Sequence, residues 1–205
     1  MSYHISRNTK ILGGRTHVEL GNWILENALR DALEIRKSIR DFYLSVNLAF
    51  MQLEKSEFRT TLLEILKKTG YPATGLVLEL GSSSRQLGMA HLKSQIEFIK
   101  SCGIKIGLDC TDFASLDLVR SLPIDLISLV PSLTTSAEDI DTTKFMIEAV
   151  TSYAQNLGIR TCYSGIEDAE MAEAAKKYPV SELMGYYYGR PCRIEEFKRL
   201  VLVRK

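Results

Sequence analysis

One tryptophan, three histidines, four cysteines and five prolines are all that these 205 residues contain of those types. Each scarcity closes off a class of function. Cys102, Cys110, Cys162 and Cys192 stand far apart with no CxxC pair, which argues against a structural zinc site and, at this length, against a disulfide framework. His4, His17 and His91 fall on dissimilar segments and form no metal-ligand spacing. Neither sign of charge dominates: the formal net charge is +1, so bulk electrostatics favours neither nucleic acid nor an anionic membrane as partner. No run is long and apolar enough to span a bilayer, so direct membrane insertion is not expected, and the amino terminus lacks the shape of a signal peptide. A reducing, cytoplasmic setting is expected, either for the chain alone or for the cytoplasmic part of a larger receptor. Ser82-Ser83-Ser84 has no Gly-x-Ser-x-Gly elbow around it and reads as loop chemistry, not as a nucleophile.

What is present is the composition of an ordinary globular domain, 45% apolar and 25% charged, long enough for one sizeable core over residues 1–205. Short apolar runs recur at Phe42–Leu48, Gly75–Leu80, Ile104–Asp109, Ile124–Leu129, Ile159–Ser164 and Glu182–Tyr187. Each has strand length and reads as a strand buried on both faces. Between them lie amphipathic stretches at Val18–Ile39, Phe58–Lys68, Met89–Cys102 and Phe145–Leu157, with Gly103 and Gly158 placed as helix stops. Strand alternating with helix is the mark of parallel βα units, in an open doubly wound sheet or a barrel. In both, a site sits at the carboxyl ends of the strands. Residues 1–15 differ: Tyr3–Ser6 and Lys10–Gly14 flank Asn8-Thr9 and resemble a short hairpin.

Three polar residues fall near those carboxyl ends. Asn47 closes the first strong strand, Glu79 nears the end of the next, and Asp109 closes the third. An amide carbonyl and two carboxylates are hard oxygen donors, suited to magnesium, calcium or manganese. Each has a structural alternative as well, Asn47 as a helix cap and the two acids as ion-pair partners at wet rims.

These segments together resemble the EAL domain family. Leu44-Ser45-Val46-Asn47-Leu48-Ala49, followed by Gln52-Leu53, is similar to that family's "lSVNlS…qL", and Leu76-Val77-Leu78-Glu79-Leu80 to its "LvlEitE". Gly103–Asp109 resembles "GvkialDDFGtG", and Leu122-Pro123-Ile124-Asp125 resembles the start of "LPvDiLKID". Asn156–Ile159 leads into the counterpart of "vvAEGVE", and Gly185–Pro191 is similar to "QGyyfsrP". The order and near-regular spacing cover residues 17–205. The resemblance implies an α/β fold, a modified TIM (β/α) barrel with one antiparallel strand, here incomplete or rearranged at its amino-terminal strand–helix segment. It also implies cyclic di-GMP phosphodiesterase chemistry through divalent metal ions, with Asn47, Glu79 and Asp109 among the metal positions.

The departures from the family pattern are as informative. No Glu-Ala-Leu tripeptide occurs near the amino terminus, where Arg15-Thr16-His17 follows Gly14; the segment leading into the first helix is expected to be deleted or to lie outside the sequence. The second aspartate of the family's pair becomes Cys110, the lysine of "LKID" becomes Ser128 and its aspartate Val130. The first glutamate of "AEGVE" becomes Ser164, although Glu167 keeps the second, and the glutamine before the final Gly-Tyr becomes Met184. Arg15, Glu167 and Arg190 are the residues left that would face a ligand, Arg190 having a structural alternative beside Pro191. Asn47, Glu79 and Asp109 supply only two negative charges, too few to offset two divalent cations, and a thiol is a poor ligand for magnesium. The expectation is a catalytically inactive EAL-like signalling module that acts through protein contacts, with a neighbouring domain, a separate partner or a second copy. It would require no cofactor, and Mg2+ or Mn2+ could occupy only a residual site. A non-hydrolysing cyclic di-GMP receptor and a weak metal-dependent phosphodiesterase are the alternatives; the losses weigh against the dinucleotide as ligand.

Overall fold

A computed structural model describes residues 3–5, 14–110, 115–129 and 140–203. In chain order its elements are β1 (Tyr3–Ile5), α1 (Gly14–Arg36), β2 (Leu44–Leu48), α2 (Phe50–Leu53) and α3 (Phe58–Thr69). Next come β3 (Leu76–Leu80), α4 (Met89–Ser101), β4 (Lys105–Cys110), α5 (Ser115–Ser121) and β5 (Leu126–Leu129). The last are α6 (Ile140–Asn156), β6 (Arg160–Tyr163), α7 (Ala169–Ala175), β7 (Glu182–Leu183) and α8 (Ile194–Val203). They divide between two units, one running to Lys105 and resuming at Pro191, the other Ile106–Arg190. No described helix is long and apolar enough to cross a membrane.

In the first unit β1, β2 and β3 pair in parallel. Leu44, Val46 and Leu48 of β2 and all five residues of β3 are buried, as strands covered on both faces should be. Helix α1 buries Leu25, Ala28, Leu29, Ala32 and Ile35, the i, i+3, i+4, i+7 stripe of a helix with one inward side. It packs on α3, whose Phe58, Leu62, Ile65 and Thr69 keep the same period. Gly70 ends α3 at φ +67°, the left-handed cap that glycine adopts without strain. Phe197 of α8 meets Phe42 edge-on with ring centroids 6.4 Å apart, so the carboxyl-terminal helix covers part of the amino-terminal core.

Of the hairpin expected over residues 1–15, the structure describes Tyr3–Ile5 and the chain from Gly14 onward. Tyr3, His4 and Ile5 register in parallel with Leu44, Ser45 and Val46, and Gly14 already lies in α1. Residues 6–13, including Asn8-Thr9, lie outside the described residues.

In the second unit β4, β5, β6 and β7 pair in parallel in that order. Every described pairing is therefore parallel, and the antiparallel strand that the resemblance implies is not among them. Asp125 ties the amino ends together. Its Oδ2 accepts the Ile106 amide at 2.8 Å, its own amide donates to the Ile106 carbonyl at 2.8 Å, and its carbonyl accepts the Arg160 amide at 3.1 Å. On α6, Ile147, Val150, Thr151 and Ala154 are buried, and Gly158 at φ +69° turns the chain into β6. Asp168 caps α7 by accepting the Met171 amide at 2.8 Å. The strand expected over Glu182–Tyr187 is only two residues long. Gly185 ends it: a Cβ there would stand 2.0 Å from the Ile166 carbonyl oxygen, so the chain turns where only glycine fits.

Candidate functional site

Strand register decides which of the predicted site residues are neighbours. In the first unit Asn47 pairs in register with Glu79, each the fourth residue of its five-residue strand. Register partners in parallel strands project to the same side, so the amide and the carboxylate form a pair near the carboxyl ends. Asn47 is exposed and Glu79 is buried. Asn47 caps no helix; Ala49 begins α2, where the Gln52 side chain accepts the Ala49 amide at 3.2 Å and donates to Asn22 at 2.9 Å. The Gln52 of the family-like "qL" thus has a structural task.

In the second unit Asp109 registers with Ser128, and Ser128 with Cys162. This row holds one carboxylate, one hydroxyl and one thiol, with Ser128 and Cys162 buried and Asp109 half-buried. Cys162 did not stand out in the sequence; the available signal was its place two residues before Ser164 on one strand. Strand β4 runs through Cys110, which registers with Leu129, so alternation turns its buried thiol to the side opposite Asp109. Ser164 is buried just past β6, its hydroxyl donating to the Leu129 carbonyl at 2.5 Å and its amide to the same oxygen at 3.0 Å.

The remaining positions follow the turn after β7. The Met184 amide donates to the Tyr163 carbonyl at 2.9 Å, and its carbonyl accepts from the Ile166 amide at 3.0 Å. Glu167 is exposed. Arg190 is exposed too, with its guanidinium carbon 4.8 Å from the Tyr186 ring centroid. Arg15 lies in the first turn of α1, and Val130 lies outside the described residues. Among the described residues no three His, Cys, Asp or Glu side chains gather to hold a metal ion.

The donor chemistry can be tested against the two divalent ions that the family resemblance implies. Row by row, the strands offer Asn47 with Glu79, and Asp109 with a serine and a cysteine. Two metals at close range need bridging carboxylates, and these rows supply one carboxylate each. Among the described residues, neither row by itself fits a two-metal centre.

A family model described as the EAL domain matches residues 15–191. Among curated proteins, the chain is 24% identical over 180 residues to the oxygen sensor protein DosP of Escherichia coli K12, covering 86% of this chain and 22% of DosP. It is 23% identical over 184 residues to the cyclic di-GMP phosphodiesterase PdeR of the same organism, covering 89% of this chain and 28% of PdeR. The chain thus spans about a quarter of the length of these relatives. Among solved structures, the EAL enzyme Bd1971 in its cAMP- and cyclic di-GMP-bound form superposes with a TM-score of 0.84 at 22% identity, covering 91% of this chain and 52% of that one. Klebsiella pneumoniae BlrP1 in a manganese and cyclic di-GMP complex gives 0.78 at 16% identity, covering 88% and 46%. These likenesses show the fold, an α/β arrangement of parallel strands corresponding to an incomplete TIM barrel. The chain belongs to the EAL domain family.

Proposed function

We propose that this chain is a degenerate EAL domain that does not turn over cyclic di-GMP and acts through protein contacts. The family match runs from residue 15 to 191, through both units, and supports treating residues 1–205 as one EAL-like domain. The observation that carries the proposal is the state of the family's catalytic positions. Ser164 stands where the family has a glutamate, and its hydroxyl is engaged by the Leu129 carbonyl. Ser128 stands where the family has a lysine, buried in register with Asp109. Neither serine can bridge metals or supply a cation to developing charge on a phosphate oxygen. Cys110, in place of an aspartate, is buried on the opposite side of β4.

Asn47 with Glu79 in the first unit, and Asp109 in the second, are then remnants of the family's metal positions. Each row offers one carboxylate as a hard donor for a cation such as Mg2+ or Mn2+, and the proposed role requires no cofactor. Cyclic di-GMP as a bound effector is not favoured, because Arg190 lies over Tyr186 and Met184 replaces a family glutamine. The relatives named for cyclic di-GMP phosphodiesterase activity and the oxygen sensor protein are several times longer than this chain, which supports a role beside other signalling modules. The test is hydrolysis. Purified protein incubated with cyclic di-GMP and Mg2+ or Mn2+ is expected to release no linear dinucleotide above the buffer blank. Release at a rate comparable to an active EAL phosphodiesterase run in parallel would overturn the proposal.

A further inference from the structure

The second unit presents an aromatic surface that the eroded site leaves unexplained. Tyr186 and Tyr187 read in the sequence as the end of a buried strand, yet with Tyr188 they lie in the turn after β7, and the three are 52%, 50% and 41% exposed. The turn is held firmly from beneath. The Tyr187 amide donates to the Ile166 carbonyl at 3.0 Å, and the amides of Tyr188 and Gly189 both donate to the Gly185 carbonyl. Tyr187 and Tyr188 brace each other edge-on, with centroids 5.2 Å apart. The Arg190 guanidinium lies over the Tyr186 ring, its carbon 4.8 Å from the centroid, and no described residue offers it a carboxylate. Lys176 lies within electrostatic reach of Tyr187 and Tyr188 but is held by Glu173 at 2.5 Å. Among the described residues, what remains is a hydrogen-bonded aromatic turn whose edge cation, Arg190, has no carboxylate partner.

We propose that the Tyr186–Arg190 turn docks a protein partner through a segment rich in carboxylates. This inference rests on the proposed function by protein contacts. Exposed tyrosines give large contact area at small entropic cost, and tyrosine and arginine dominate the energetics of protein interfaces. A guanidinium already stacked on a ring keeps its remaining N–H donors in one plane, the geometry that grips a carboxylate in bidentate fashion. The Tyr186–Arg190 turn itself carries a single cation, Arg190, where a phosphate backbone or an anionic bilayer selects several. Charge complementarity therefore points to an acidic polypeptide.

The probe is a fluorescein-labelled random copolymer of glutamate and tyrosine, read by anisotropy at low salt, with a lysine–tyrosine copolymer as the charge-reversed control. Wild-type protein is expected to bind the first and not the second. Arg190→Gln and Tyr187→Ser should each weaken binding at least about tenfold, as loss of a central interface residue does. Arg190→Lys, which keeps the charge but not the planar fork, should fall between wild type and Arg190→Gln. Both side chains are exposed, so the melting temperatures of all three variants should hold. Equal binding of both copolymers, or binding of the acidic one indifferent to Arg190 and Tyr187, would overturn the proposal. So would transfer of the same variant sensitivity to cyclic di-GMP, to phosphatidylserine vesicles or to self-association of the chain. Hydrolysis of cyclic di-GMP would sink the proposed function while leaving the copolymer result standing, so the two failures are distinguishable.

Discussion

Replacing Gly185 with alanine places a methyl carbon 2.0 Å from the Ile166 carbonyl oxygen, 2.3 Å from its nitrogen and 2.6 Å from its carbonyl carbon. All three are backbone atoms of a fully buried residue, so nothing can swing aside. Overpacking against such atoms costs about 1–3 kcal/mol. The point of contact is flanked by two hydrogen bonds of 3.0 Å, Ile166 to the Met184 carbonyl and Tyr187 to the Ile166 carbonyl. Breaking either costs about 1 kcal/mol more. A total near ~3 kcal/mol, at roughly 2–4 °C per kcal/mol for chains of this size, lowers the melting temperature by about 6–12 °C. Gly189→Ala is the control, because a Cβ there meets nothing within 4 Å. Circular dichroism melts of both variants beside wild type decide the matter. If Gly185→Ala melts within about 2 °C of Gly189→Ala, the close approach to Ile166 does not constrain the turn and the reasoning is refuted.

Two further outcomes follow from the same contacts. Asp125→Ala removes the acceptor for the Ile106 amide and should cost about 1–3 kcal/mol in urea unfolding, whereas Asp125→Asn, which keeps a carbonyl oxygen, should cost less; equal stability of the two variants would contradict the clamp. Burial pushes the Asp31 carboxyl up from its ordinary value, against the pull of Lys198 and with a smaller push from Glu195. The folded state therefore holds this proton more tightly than the unfolded chain. The resulting penalty is absent below the unfolded pKa, grows as pH rises through the window up to the raised folded value, and is fully present at neutral pH. Asp31→Asn should accordingly be no less stable than wild type at pH 7 and should lose that part of the pH slope; a clear drop in its urea midpoint at pH 7 would show that the Lys198 attraction outweighs the burial.

Much of the fold was legible because the strands announce themselves. The runs ending at Leu48, Leu80, Asp109, Leu129 and Ser164 are mostly apolar, and the structure places a strand in each of the five. What the pattern hid was pairing and termination. Tyr3–Ile5 is too short to carry a period, so its parallel partner could not be read from it. Glu182–Tyr187 has strand composition, but the backbone it approaches at Gly185 belongs to Ile166, nineteen positions earlier and invisible to any local window. The site was legible as residue types and not as sides. The neighbouring positions Asp109 and Cys110 read together as the counterpart of the family's aspartate pair, yet β4 continues through Cys110 and turns its thiol away. Ser164 reads in the sequence only as a substituted site position, whereas in the structure its hydroxyl and amide both donate to the Leu129 carbonyl just past β6.

The central claim is that the eroded positions leave no phosphodiesterase. Its most direct test is a single-turnover measurement, with protein in excess over cyclic di-GMP, Mn2+ present and the linear dinucleotide quantified by chromatography. The account predicts intact cyclic di-GMP after prolonged incubation, for wild type and for Asp109→Ala alike. Conversion by wild type that Asp109→Ala abolishes would contradict it and would make the remnant of Asn47, Glu79 and Asp109 a working site.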